Sequence, residues 1–166
     1  MRDKIYIHYG SDRLNLNVNL VGDIFMNKPK GLWASPVDSD YGWEDFCLSN
    51  DFRIESLNTY FTFKIKKDAK ILKVKSHNDV AKYLTYYPYS DNKYRKPLNK
   101  LTLNDFSLIN YRDYMIDFEK IYQEYDGMEL YMTENYSEFY NSYLFNSYDV
   151  DSLIIWNLNQ IIPIEN

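Results

Sequence analysis

"DSLIIWNL", residues 151–158, is the most apolar strand-like run in the chain, and it follows a tyrosine-rich stretch with helical character. Working back from it, "MELYM" (128–132) reads as another strand, set off by Asp126-Gly127. Before that turn, "YRDYMIDFEKIYQEY" (111–125) has the 3.6-residue spacing of a helix, with Asn110 as its cap and an apolar face that includes Met115, Phe118 and Ile121. "YFTFKIK" (60–66) alternates strictly and predicts a strand; "AKILKVKS" (69–76) predicts a second, with the two expected to pair across Lys67-Asp68. "HNDVAKYLTYY" (77–87) then predicts a helix capped by Ser76.

Toward the amino end, "KIYIHY" (4–9) predicts a short strand ending at Gly10-Ser11, and "DRLNLNVNL" (12–20) an exposed or edge strand. Asn27–Gly31 is a Lys/Pro/Gly turn, "LWAS" (32–35) a strand, and "YGWEDFCLSN" (41–50) a helix capped by Ser39 or Asp40. Strands dominate and helices are inserted between them. The expected fold class is therefore α+β, on a curved, mostly antiparallel sheet, and not a doubly wound parallel one.

The 166 residues suit one domain with a genuine core, and a hydrophobic share of 45% marks a folding sequence. The aromatic content is high, with 18 Tyr, 9 Phe and 3 Trp, and Tyr offers contact surface at low entropic cost. Lys plus Arg (19) against Asp plus Glu (24) gives a net charge of −5, and the basic stretches are short and diluted, which argues against strong nonspecific DNA binding. One cysteine, Cys47, cannot form an internal disulfide; it is expected to be a partly buried packing residue. Two histidines make a Cys/His zinc site improbable, so no metal is expected. No apolar run approaches the ~20 residues of a membrane span, and the opening Met-Arg-Asp-Lys leads into a strand, so a cytoplasmic location without a membrane partner is expected. The polar stretch Tyr87–Lys100, with Pro88 and Pro97, is the best candidate for a target-facing loop.

Three separated segments can carry chemistry. "HYGS", His8–Ser11, ends a strand in two rings followed by Gly10 and a hydroxyl, which lets a ligand approach the backbone. In "GLWAS" (31–35), Trp33 and Ser35 share one strand face and Leu32 and Ala34 the other, so Trp33 can stack on a planar ring while Ser35 bonds to a sugar or an amide. In "YDVDSLIIW" (148–156), Asp149 and Asp151 share a face just before the apolar run, with Ser152 beside them. That pattern fits metal binding, cation stabilisation or turn capping. No Gly-rich phosphate loop, GxSxG or HExxH is present, and a nucleophilic triad would need His8 or His77, neither within a recognisable motif.

In order along the chain, "HYGS", "GLWAS" and "DVDSLII" resemble the three dispersed motifs of the ADP-ribosyltransferase superfamily: a His- or Arg-bearing strand, an aromatic-plus-hydroxyl strand, and an acidic residue at the start of a late strand. "YDGMEL" (125–130) is similar to segments of small phage and bacterial members. The resemblance implies a split, mostly antiparallel sheet core that clamps NAD, with helices inserted, across residues 1–166. It also implies an intracellular NAD-dependent mono-ADP-ribosyltransferase, of the kind that phages and mobile elements use as toxins or as inhibitors of bacterial immunity, including anti-CRISPR factors. Its target would be a protein first and a nucleic acid second. Asp151 would be the catalytic carboxylate and Asp149 its support. His8 or Tyr9, Gly10, Ser11, Trp33, Ser35 and Ser152 would hold NAD. The chain departs from the pattern in having Tyr9 where relatives place the His directly before Gly, and Asp where they carry Glu. The alternative is a non-catalytic acidic binding protein that blocks a partner by contact or nucleic-acid mimicry.

Overall fold

The computed structural model describes residues 4–23, 26–87, 93, 96–101, 113–140 and 142–164. Its strands are β1 (Tyr6–Tyr9), β2 (Leu32–Pro36), β3 (Tyr60–Ile65), β4 (Ile71–Val74), β5 (Leu84–Tyr86), β6 (Tyr114–Ile116), β7 (Gly127–Leu130), β8 (Ser152–Ile155) and β9 (Ile161–Ile164). The described helices are α1 (Trp43–Ser49), α2 (Phe118–Glu124) and α3 (Tyr136–Phe139). Seven strands form one sheet in the order β4-β7-β8-β2-β1-β3-β9, and β5 and β6 pair separately. Among the described strands, only β4 and β7 pair in parallel. This is the α+β class with a mostly antiparallel sheet.

The apolar run of β8 has its explanation in burial on both faces. Ile154 belongs to a core with Val74, Ile116, Met128, Phe139 and Phe145. Leu153 and Ile155 belong to the opposite core with Tyr6, Leu32, Ala34, Phe61 and Phe63. A strand flanked by β7 and β2 and covered above and below has no solvent face on which to alternate. Gly31 leads into β2 where the backbones crowd, since a Cβ there would lie 2.4 Å from Ile154 Cγ2 and 3.2 Å from the Ile155 carbonyl oxygen.

Several expectations are corrected. β3 does not form a hairpin with β4. Its neighbours are β1 and β9, and β4 lies at the far edge, where the Asp126 N–H donates to the Lys70 carbonyl at 2.7 Å and the Asp126 carboxylate accepts the Lys70 N–H at 2.8 Å. β9 escaped notice because Pro163 interrupts it, yet an edge strand tolerates a missing N–H. Residues 12–20 form no strand: Asn15 Oδ1 accepts the Asn17 N–H at 2.9 Å, a local turn that competes with a ladder. Leu14 and Leu20 nonetheless pack on the second core.

The expected helix after Ser76 is two single 3-10 turns, His77–Asp79 and Ala81–Tyr83, followed by β5. Asp79 holds the first turn by accepting the N–H groups of Lys75 and Ser76 at 2.8 and 2.9 Å. The helix expected over 111–125 begins only at Phe118, with Asp117 accepting the Lys120 N–H, because Tyr114–Ile116 pair with β5 and the Ile116 N–H is taken by Asn27 Oδ1. Asn110, its expected cap, and half of the expected loop at 87–100 lie outside the described residues, while Leu98–Lys100 form a 3-10 turn. α1 is capped at Gly42, whose N–H donates to Asp45 Oδ2 at 2.8 Å, and not by Ser39 or Asp40. Cys47 is free and fully buried, more deeply than expected.

Candidate functional site

The site begins where β1 and β2 stop pairing. Their ladder covers only Tyr6↔Pro36 and Ile7↔Ser35. β1 continues to pair with β3 as far as Tyr9↔Tyr60, and β2 with β8 back to Leu32↔Ile155. Each strand is held by its outer neighbour while the two inner edges part. His8 spans the gap, its Nδ1 2.7 Å from the Trp33 carbonyl oxygen. A carbonyl can only accept, so Nδ1 carries the proton and Nε2 keeps its lone pair. Burial pushes the His8 pKa below its ordinary value, with the bond to the carbonyl working the other way, so the ring is neutral at pH 7.

A cleft of about 360 Å³ opens at this split. His8, Tyr9, Trp33, Ser35, Asp149 and Ser152 all border it. The three motif segments therefore meet on the consecutive strands β1, β2 and β8. Trp33 lies on the face opposite Leu32 and Ala34, as the alternation predicts, and its ring packs 5.4 Å from that of Tyr148. Ser35 is 3% exposed and accepts the Trp43 N–H at 3.0 Å, fixing the start of α1 against β2. Tyr9 donates to Glu44 Oε2 at 2.8 Å; burial first, and that carboxylate second, hold its hydroxyl protonated. His8 and Tyr9 thus both reach the cleft, although only one of them was expected to.

Gly10, Ser11 and Asp151 do not line it. Gly10 has φ +96° and donates its N–H to the Thr59 carbonyl at 2.7 Å, while a Cβ there would meet nothing within 4 Å. Backbone conformation, not a ligand's approach, accounts for glycine at this position. The Ser11 hydroxyl donates to the Arg13 carbonyl at 2.7 Å. Asp151 is 8% exposed and fully engaged: Oδ1 accepts the Thr133 N–H at 2.8 Å, and Oδ2 accepts the hydroxyls of Thr133 at 2.7 Å and Ser39 at 3.2 Å. It clamps two loops to the start of β8.

Asp149 differs from its neighbour. It is exposed, borders the cleft, and has no hydrogen bond or ion pair among the described residues. Partial burial raises its pKa above the ordinary carboxylate value, and Lys28 draws it partly back. The free carboxylate in the cleft is Asp149, and the occupied one beside it is Asp151.

Sequence reasoning missed the two cations and the second indole of the cleft. Lys28 sits in the turn before β2 with its ammonium 5.5 Å from the centre of the Trp33 ring; Arg53 follows α1 in a left-handed conformation at φ +49°; Trp43 opens α1. Neither cation forms an ion pair among the described residues. Only the proximity of Lys28 to "GLWAS" hinted at any of them.

Away from the cleft, His77 has the contacts of a nucleophile relay, with Nδ1 3.0 Å from Glu138 Oε1 and Nε2 2.5 Å from Ser142 Oγ. Yet Ser142 is 1% exposed and His77 3%, and neither borders this cleft. The His77 ring packs against Phe139 and Phe145, so the chain of bonds ties the core. Among the described residues no group of His, Cys, Asp and Glu is placed to hold a metal, and no helix is long and apolar enough to cross a membrane. No family model, curated protein or solved structure matches the chain.

Proposed function

We propose that the chain is an NAD-dependent mono-ADP-ribosyltransferase acting on a macromolecular target, with NAD seated in the cleft between β1 and β2. The observation that carries this reading is convergence: three separate segments, the last more than a hundred residues beyond the first two, border one cleft on adjacent strands. The residues present fit the cofactor. Indole rings of Trp33 and Trp43 offer stacking surface, Lys28 and Arg53 offer charge to a pyrophosphate, and Asp149 and His8 Nε2 offer acceptors to ribose hydroxyls. A volume near 360 Å³ is at the lower end of the ~300–1,000 Å³ range of ligand pockets. It suits one nucleoside half of the dinucleotide.

NAD supplies the scissile bond between nicotinamide and ribose, and positive charge grows on the sugar as that bond breaks. Asp149 is the residue to face that charge: its carboxylate is partly desolvated and carries no partner, so its field is undiminished by local bonds. The catalytic role moves from Asp151 to Asp149, with Asp151 as the positioning residue behind it.

The test is a thermal shift with NAD followed by nicotinamide release in the presence of cell lysate. NAD raises the melting temperature of the parent, and Trp33→Ala abolishes the rise. No shift and no nicotinamide release would overturn the proposal in favour of a binding protein without catalysis.

A further inference from the structure

The acidic excess of this chain is local. Residues 37–59 carry Asp38, Asp40, Glu44, Asp45, Asp51 and Glu55 against Arg53 alone. Six carboxylates and one cation leave this stretch with the whole of the formal net charge of −5, and the acids and bases of the remaining chain balance. All six carboxylates are exposed, and none forms an ion pair among the described residues. Arg53 lies over the Phe52 ring, 5.4 Å from its centre, and borders the cleft between β1 and β2.

The same stretch exposes apolar surface. α1 turns Cys47 into the protein, while Glu44 and Asp45, four and three residues before Leu48, share its outer side. Beyond the helix the Phe52 N–H donates to the Cys47 carbonyl at 2.9 Å. Phe52 is thereby brought back against Trp43 and Phe46, with ring centres 5.9 and 6.1 Å away. A 3-10 turn, Ile54–Asn58, follows directly. Leu48, Phe52 and Ile54 are 58%, 42% and 41% exposed. Isolated apolar side chains at a surface are ordinary. Here three fall within residues 48–54, with Asp51 beside Phe52 and Glu55 beside Ile54.

We propose that this face, α1 and the segment through Asn58, docks a basic amphipathic segment of a partner protein. An apolar side chain of that segment is seated on Leu48, Phe52 and Ile54, and its lysines or arginines are set against Asp45, Asp51 and Glu55. Charge complementarity selects this occupant. A nucleic acid or an anionic bilayer meets its own sign of charge here. A neutral or acidic protein surface covers the apolar residues but desolvates carboxylates without pairing them, which is unfavourable. A second copy of this chain brings no net counter-charge, because its acids and bases balance outside this stretch. The proposal goes beyond the NAD reading and does not depend on it, since none of these six docking residues lines the cleft.

Fluorescence anisotropy with three labelled peptides of equal length tests it on the full chain. One places lysine and leucine in amphipathic helical order, the second has serine for leucine, and the third has glutamate for lysine. The lysine–leucine peptide binds about fivefold or more tightly than either control, and its binding weakens as NaCl rises from about 0.05 to 0.5 M. Asp51→Asn combined with Glu55→Gln weakens it roughly three- to tenfold at low salt, whereas Asp68→Asn with Glu119→Gln, two exposed carboxylates outside the stretch, changes it by less than about twofold. Leu48→Ser, at an exposed position, weakens it about threefold or more. Equal losses from the two charge pairs, or equal binding of the serine peptide, overturn the proposal, because charge then acts without a specific face. Failure of the lysine–leucine peptide to bind overturns it outright. Dimerisation in sedimentation equilibrium that Leu48→Ser abolishes overturns it in favour of self-association. The NAD-induced thermal shift, recorded on the same variants, stays at the parent value. Loss of peptide binding with that shift intact fails the docking face alone, and peptide binding without any shift fails the NAD reading alone.

Discussion

Truncating Asp149 and Asp151 separately distinguishes a carboxylate that builds the site from one that acts in it. Asp151→Ala removes the acceptor for the Thr133 N–H, the Thr133 hydroxyl and the Ser39 hydroxyl. Bonds to a charged acceptor contribute about 1.5–3 kcal/mol each, but water can reach the half-buried Thr133, so the net loss is about 3 kcal/mol. At roughly 2–4 °C per kcal/mol for a chain of this size, the melting temperature falls by roughly 6–12 °C. Asp149→Ala deletes no hydrogen bond among the described residues and relieves a partly desolvated charge, so stability moves by no more than about 0.5 kcal/mol. Nicotinamide release behaves in the opposite way. Loss of a charge that faces the reacting centre costs about 10²–10³ in rate, whereas Asp151→Ala, assayed well below its own melting point, stays within about tenfold of the parent. Thermal unfolding by circular dichroism and a nicotinamide assay on the same preparations give both numbers. An Asp151→Ala protein of unchanged stability and no activity would refute the reasoning and return the catalytic role to Asp151.

Gly31→Ala places a methyl 2.4 Å from Ile154 Cγ2 and is expected to cost about 1–3 kcal/mol in urea denaturation. Combining it with Ile154→Ala, which vacates that space, should cost less than the sum of the two; strict additivity would sink the steric account. For pH, burial lowers both His8 and His77 below their ordinary value of 6.5, so the unfolded chain binds protons that the folded one refuses. Stability is full above pH 6.5 and falls as pH drops through 6.5 toward the folded pKa values, by at most about 1.4 kcal/mol per pH unit for each histidine. Asp149, raised above 3.8, has the opposite sign: it favours the folded state below about pH 4, and that contribution disappears as pH rises through its folded pKa. His8→Gln should remove part of the slope between pH 6.5 and 5, and a parent protein that grows more stable over that interval would contradict the burial argument.

Much of the sheet was readable because its signals are local. Strict alternation marked β3, and an unbroken apolar run marked β8. Pairing was not readable. "YFTFKIK" and "AKILKVKS" are separated by a plausible turn, and only the remote partners Ile161–Ile164 and Gly127–Leu130 decide that they lie at opposite ends of the sheet. Side chains overrode periodicity in the same way. At 12–20 the polar positions are asparagines that close turns, and at Ile116 an asparagine from the turn before β2 takes the N–H a longer helix would have used.

The site was half legible for a related reason. Motif strands can be recognised one at a time, so His8, Trp33 and Asp149 could be named without knowing that they meet. Which of two carboxylates remains free depends on hydroxyls far along the chain, Ser39 and Thr133, that no spacing rule connects to Asp151. Alternation even misdirects here: i, i+2 neighbours share a face in a regular strand, but Asp149 and Asp151 precede β8, outside the ladder that enforces the rule. Released from that constraint, one carboxylate turns to the loops and the other to the cleft. Two acids with unequal partners have unequal reactivity, and the one without partners is available to a ligand. The same logic explains why the cations were invisible in the sequence. Lys28 and Arg53 belong to turns whose paths are set by the elements around them, so their charge becomes a property of the cleft only once β1 and β2 have parted.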